Sequence, residues 1–331
     1  MKVNNKPLLT LVLAAGLGTR MKSDLPKVLH PILGKPIINH VISTLTSLEP
    51  SRLVVILGHC KDLVEKALSD YDLDIVIQER QLGTGHAVMC AREHLYKLVK
   101  EVGPADVLIV CGDTPLLTDR TLKRLLDKHR QSGHVLTVLS SYLDNPASYG
   151  RIVRDDKGNF LKIVEERDAD PEELAIKEVN AGVYVCNLDF LFHALSKIKP
   201  QNSQSEYYLT DIISVAVSED IDVSAYSLAT PEEILGVNSR IQLSVAEHLM
   251  LDKLKKYWMA RGVTFELADS IYIESGVSFG YDVVIGPCCT LRGLTKIGDK
   301  VKLGAFSYIE NTSVASNTVL APYTVLTDVQ T

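Results

Sequence analysis

The sequence predicts an α/β domain on a mostly parallel sheet, followed by a short parallel β-helix. Three observations carry that prediction. Apolar runs of strand length alternate with helix-length segments from residue 8 to about residue 230, the pattern of repeated βαβ units. A glycine-rich turn, GLGTR, closes the first of these runs. In the tail, Ile273, Phe279, Ile285, Leu291, Ile297, Leu303 and Ile309 recur at an interval of six, which matches neither a helix nor simple alternation.

Taken in order, LLTLVLAA (8–15) reads as a buried first strand. It is too soon interrupted by Gly16, Arg20 and Lys22 to be a signal peptide. A helix is predicted over 36–47, then a strand RLVVILG (52–58) and a strand DIVIQ (74–78). A helix from about 85 to 98 precedes the strand DVLIVCGD (106–113), and a helix over 119–130 precedes HVLTVLSS (134–141). Runs this continuously apolar imply a sheet covered on both faces. GRIVR (150–154) and FLKIVEE (160–166) flank the turn DDKGN and read as a hairpin. A strand is predicted over 178–186, a helix over 206–219 and a late strand over 221–228. From Pro231 to Gly262 the spacing of Ile234, Val237, Ile241, Val245 and Leu249 predicts a helix with one packing stripe. The domain boundary is placed near Gly262, giving a domain over 1–230, a linking helix over 231–262 and a β-helix over 263–331.

In that β-helix, one apolar residue per short face would point inward. Gly280, Gly286, Gly298 and Gly304 directly follow four of the apolar residues, where glycine tolerates a corner. After a slip of one residue, Val314, Leu320 and Leu326 continue the interval.

Composition sets limits on function. The 331 residues are 46% hydrophobic and 23% charged, which excludes a disordered chain. A net charge of -6 offers no field for nucleic acid or an anionic membrane. No apolar stretch approaches the roughly 18 residues needed to span a bilayer. The six cysteines include no CxxC pair, so structural zinc is not expected and a reducing cytoplasm is the default compartment.

Three segments suggest chemistry. In LAAGLGTRMKSDLPKVL (13–29), Gly16 and Gly18 follow a strand, but Met21 breaks the dinucleotide pattern and no G-K-S/T closes a P-loop. With Arg20, Lys22 and Lys27 close by and Pro26 stiffening the chain, the loop can cradle a polyphosphate. It can equally be a solvent-facing turn. Asp113 lies just past an apolar strand, at the edge where open α/β sheets bind ligands, and can hold a divalent ion or cap the next helix. Thr118 is an equally good cap. In QLGTGHA (81–87), Gly83, Thr84 and Gly85 can read a base or sugar, with Gln78 supplying an amide. His86 is a weak acid–base candidate in a first helical turn. Cys90, Cys111 and Cys186 read as small core residues.

The run LAAGLGTRMKSDLPKVLH, followed by QLGTGHA, CGDTPLL, YGRIV, IVEERDA, EVNAG, EYYLTDII and GVNSRIQLSVAE, closely resembles the bacterial bifunctional N-acetylglucosamine-1-phosphate uridylyltransferases, which also acetylate glucosamine 1-phosphate. The resemblance spans the whole α/β domain and the start of the tail. It implies a Rossmann-like sheet of the nucleotide-diphospho-sugar transferase type and a left-handed β-helix. It also implies transfer from UTP to N-acetylglucosamine 1-phosphate, with UDP-N-acetylglucosamine and pyrophosphate as products.

Position by position, the resemblance assigns Arg20 and Lys27 to the triphosphate and the transferring phosphoryl group. It assigns Leu13, Ala14, Gly16, Gln78, Gln81, Gly83 and Thr84 to the uridine, and Asp113 and Asn238 to Mg²⁺. Gly150, Glu165, Asn180, Tyr208 and Thr210 fall on the sugar side. Asn238 gives no signal of its own. Two positions depart from the family pattern: Cys111 and Ala181 stand where Tyr and Thr are common. The resemblance further implies a cytoplasmic homotrimer that supplies cell-envelope precursors. Because the sequence given stops at LAPYTVLTDVQT, acetyltransferase activity is expected to be missing.

Overall fold

A computed structural model describes residues 6–58 and 61–329. The outermost residues of the predicted spans 1–230 and 263–331 therefore lie outside the described residues. The chain forms two compact units, 1–29 with 37–238, and 30–36 with 239–331.

The first unit is built on a nine-stranded sheet. Across it run Val223–Ser227, Leu136–Tyr142, Glu178–Asn187, Asp106–Cys111, Leu8–Ala14, Arg52–Leu57 and Asp74–Ile77. Leu8–Ala14 is parallel to both its neighbours, while Glu178–Asn187 runs antiparallel between Asp106–Cys111 and Leu136–Tyr142. The predicted hairpin, Arg151–Arg154 with Phe160–Val164, joins the sheet by pairing Arg151 with Val179. The apolar runs are continuous because alternate residues serve two cores. Leu9, Leu11, Val54, Ile56, Val107 and Ile109 pack on one face. Leu8, Val12, Val55, Leu57, Leu108 and Val110 pack on the other. The helices Thr84–Cys90, Arg92–Val102, Leu188–Leu195 and Asp211–Ser218 contribute to the first core. Ile37–Thr46 and Asp119–Ser132 contribute to the second.

The strand order places a switch point at Leu8–Ala14. The chain leaves it toward Arg52–Leu57 on one side and later returns as Asp106–Cys111 on the other. A crevice opens beyond the carboxyl ends of strands at such a point.

In the second unit, three short parallel sheets of four, four and three strands form the predicted β-helix. Residues eighteen apart stack, as Ile273 on Leu291 and Leu291 on Ile309. After the one-residue slip they stack seventeen apart, as Ile297 on Val314 and Leu303 on Leu320. Most of the period-six residues are buried in one core, with Phe279, Leu320 and Leu326 only partly so. The glycines have a different cause from the one expected. A Cβ on Gly280, Gly286, Gly298 or Gly304 would lie 2.3–2.7 Å from a backbone nitrogen of the next coil. The left-handed corners are made mainly by other residues, among them Asp282, Cys288, Lys300, Phe306, Asn311, Asn317 and Tyr323.

The predicted helix over 231–262 is shorter, Arg240–Met259, and Ser239 caps it by accepting from Gln242 N at 3.3 Å. Its expected stripe is not a packing face. Ile234 and Val237 are buried in the first unit, but Ile241 is 78% and Val245 46% exposed. The helix packs through its later turns, where Leu251, Leu254 and Trp258 meet the β-helix core. Lys255 closes that end by donating to Ala268 O at 2.6 Å.

Candidate active site

The crevice at the switch point holds a cavity of about 440 Å³. Eleven of the residues assigned from the sequence line it: Leu13, Ala14, Gly16, Arg20, Lys27, Gln78, Gln81, Gly83, Thr84, Asp113 and Asn238. The strand Leu8–Ala14 delivers the first two, and the loop after it delivers Gly16 and Arg20. A Cβ on Gly16 would meet nothing within 4 Å, so its backbone is open to a ligand. Gly18 is required for another reason. It is left-handed, and a Cβ there would lie 2.7 Å from Lys27 Cβ. Of the three basic residues in this loop, Arg20 and Lys27 reach the cavity and Lys22 does not.

At the floor, the Lys27 ammonium donates to Asp113 Oδ2 at 2.5 Å and to Asn238 Oδ1 at 2.8 Å. Both charged side chains are largely buried, at 13% and 17% exposure. Asp113 is free for this because Thr118 takes the cap of Asp119–Ser132, accepting from Thr121 N at 3.3 Å. Asn238 arrives from far along the chain. Val237 N donates to Asp113 O at 2.8 Å, which fixes the residue after it beside the carboxylate.

One carboxylate and one amide oxygen thus converge on a single cation. This is a hard-oxygen donor pair of the kind that holds Mg²⁺ together with waters and substrate phosphates. Among the described residues no group of three or more His, Cys, Asp or Glu could hold a metal on its own. The residues present fit Mg²⁺ in that shared mode.

Of the five residues that the resemblance assigns to the sugar, Gly150, Glu165, Asn180 and Thr210 form a second, connected patch. Thr210 donates to Glu165 Oε1 at 3.3 Å, and Asn180 N donates to Gly150 O at 2.9 Å. Gly150 lies against Glu165, since a Cβ there would approach both carboxylate oxygens at 3.4 Å. Asn180 Nδ2 donates to Tyr184 OH at 2.8 Å, and Tyr208 OH accepts from Gln204 at 2.7 Å. Burial raises the Glu165 carboxyl above its ordinary range, against the Thr210 hydrogen bond that lowers it. Cys111 is not the simple core residue expected. It lines the cavity, and its thiol donates to Gly182 O at 3.7 Å. Burial, aided by Asp113, pushes that thiol up to about 12, so it stays protonated and is no nucleophile.

In QLGTGHA packing alone already requires glycine at both positions, and Gly83 also lines the cavity. A Cβ on Gly83 would lie 2.5 Å from Tyr207 O, and one on Gly85 3.0 Å from the same oxygen. Thr84 Oγ1 accepts from Leu209 N at 3.0 Å. Glu206, not singled out from the sequence, also lines the cavity. Its only advance sign was its place beside Tyr207 in the EYYLTDII segment.

A cavity at a sheet switch point, lined by two cations and a metal-competent oxygen pair, has the charge and the place in the fold to take a nucleoside triphosphate. Residues 10–160 match the family model of the MobA-like NTP transferase domain. Over 327 residues the chain is 42% identical to a bifunctional GlmU protein of Desulfotalea psychrophila, covering 99% of this chain and 95% of that one. It is 46% identical over 318 residues to the GlmU protein of Exiguobacterium sibiricum, covering 96% and 69%. With that of Clostridioides difficile it shares 42% over 317 residues, covering 96% and 67%. The chain belongs to the GlmU family of nucleotidyltransferases. No helix among the described residues is long and apolar enough to cross a membrane.

Proposed function

We propose that this chain transfers a uridylyl group from UTP to N-acetylglucosamine 1-phosphate, forming UDP-N-acetylglucosamine and pyrophosphate. The observation that carries the proposal is the Lys27 ammonium seated on Asp113 and Asn238 at the floor of the cavity that Gly16 and Arg20 also line. An oxygen of the sugar phosphate attacks the α-phosphorus of UTP in line. The bond from the α-phosphorus to the bridging oxygen breaks, and pyrophosphate leaves with that electron pair. The attacking oxygen is ionised at neutral pH, so no general base is needed. Catalysis is then positioning and charge neutralisation. Arg20 and Lys27 offset charge on the transferring group and the departing pyrophosphate. Asp113 and Asn238 would hold Mg²⁺, which supplies further neutralisation of the phosphates when bound.

Leu13, Ala14, Gln78, Gln81, Gly83 and Thr84 surround the uridine in this reading. Gly150, Glu165, Asn180, Tyr208 and Thr210 take the N-acetylated sugar. The reading includes action in the cytoplasm as a homotrimer. The test is product formation from UTP with a panel of sugar 1-phosphates, with and without Mg²⁺. UDP-N-acetylglucosamine is expected as the main product, only with Mg²⁺. Faster turnover of glucose 1-phosphate would reassign the acceptor, and UTP binding without product would reject the reaction.

A further inference from the structure

We infer that His86 sets the nucleobase preference of this site, by holding the Gln78 side-chain amide with its oxygen turned to the base. The inference rests on the uridylyltransferase reading. Gln78 follows the strand Asp74–Ile77, is only 3% exposed and lines the cavity. Its amide nitrogen lies 3.1 Å from Gly83 O and 3.0 Å from His86 Nδ1. Gly83 O is a carbonyl and can only accept, so the amide atom facing it is the nitrogen. The same nitrogen then donates to His86 Nδ1, which must therefore present a lone pair and act as an acceptor. Cys90 Sγ, 3.8 Å from Nδ1, faces the same lone pair and offers a thiol hydrogen, not a rival acceptor.

Both amide hydrogens of Gln78 are thereby used. What the side chain has left for the cavity is its oxygen, an acceptor. The uracil edge carries a donor, N3–H, between two carbonyl oxygens, whereas cytosine has a bare acceptor at N3. An oxygen opposite N3 rewards uracil and repels cytosine. His86 touches no substrate in this account. It is a positioning residue that supplies one of the two hydrogen bonds fixing the amide.

The test compares kcat/KM for UTP and CTP in the wild-type protein, His86→Phe and His86→Asn. Phe keeps a ring beside Tyr207, whose ring centre lies 6.4 Å away, but removes the acceptor. Asn can place its Oδ1 where Nδ1 was. Loss of one net hydrogen bond predicts that the UTP-to-CTP ratio falls about tenfold in His86→Phe, mainly through a raised KM for UTP. His86→Asn should recover the ratio to within about twofold, a rescue that a merely structural role would not give. The KM for the sugar phosphate should not move in either variant. If His86→Phe folds poorly, His86→Leu removes the acceptor with a smaller side chain and serves the same comparison. An unchanged ratio in the acceptor-less variant, or an equal loss in His86→Asn, overturns the inference while leaving the uridylyltransferase reading intact. A wild-type preference for CTP overturns it too. Wild-type protein that forms no nucleotide sugar from either triphosphate defeats the underlying reading instead, and the inference with it.

Discussion

Lys27 occupies the oxygens that a metal ion would need, so its removal should have two opposite effects. The informative variant is Lys27→Met, which keeps the aliphatic stem that packs over Gly18 and deletes the charge. Two unit charges at the observed 2.5 Å attract by about 7 kcal/mol at an effective dielectric near 20, before desolvation. After desolvation, a hydrogen bond between charged groups nets about 1.5–3 kcal/mol. A metal ion entering the free protein must displace that bond and the one to Asn238. Lys27→Met should therefore bind Mn²⁺ about 10- to 100-fold more tightly without nucleotide, read from the loss of the free-ion paramagnetic signal. Turnover should move the other way. Removing one preorganised charge from the phosphates costs about 10²–10³ in kcat, or roughly 3–4 kcal/mol. Thermal unfolding in EDTA should show a loss of stability from the unpaired Asp113 that added Mg²⁺ restores. Unchanged metal affinity in a folded variant would refute the placement of Lys27 on the metal oxygens. Near-normal kcat/KM would return Lys27 to an ordinary structural lysine.

Asp113→Ala should abolish Mn²⁺ binding and lower kcat about 10²–10³-fold with the fold intact, since Thr118 rather than Asp113 caps the next helix; near-normal kcat at saturating Mg²⁺ would contradict the assignment. Burial, with Asp168 adding repulsion, raises the Asp211 carboxyl to about 6. The folded state therefore holds this proton more tightly than the unfolded chain, and stability falls as pH rises from about 4 through about 6. Asp211→Asn should flatten that fall and raise Tm more at pH 7 than at pH 4; an equal shift at both would show that Asp211 is not the titrating group. Leu294, Phe306, Val319, Tyr323 and Val325 are each more than half exposed on the coils, so self-association is expected. Light scattering over a concentration series should approach three times the monomer mass, and a strict monomer at tens of micromolar would oppose it.

The fold was legible wherever one physical rule governed one segment. Each strand of the first unit serves two cores, and this produces continuous apolar runs that need no knowledge of the neighbours. The β-helix repeats because each coil stacks on the last, so its period survives even the one-residue slip at Val314. The stretch from Pro231 to Gly262 was misread because its apolar residues answer to two different units. Ile234 and Val237 are buried in one unit, while the helix that follows packs through Leu251, Leu254 and Trp258 in the other. Periodicity continued across a boundary where the cause of burial changed.

The site divides in the same way. Asp113 was visible because the end of a parallel strand is a defined place in this class of sheet, and Thr118 was visible as the rival cap that frees it. Asn238 was not visible from its own surroundings. It becomes a cavity residue only through the bond from Val237 N to Asp113 O, between segments far apart in sequence. The resemblance supplied it where spacing could not. QLGTGHA shows the converse. Its glycines invited a ligand, and both are also needed to make room for Tyr207 O. Another residue of that segment, His86, acts through its Nδ1, which receives the Gln78 amide. Glycine spacing reports that something comes close, and only the fold says whether it is a phosphate or the protein's own backbone. A donor–acceptor chain such as Gly83–Gln78–His86 depends on which atom faces which. Its meaning for base choice therefore exists only once the strand end and the helix start have been brought together.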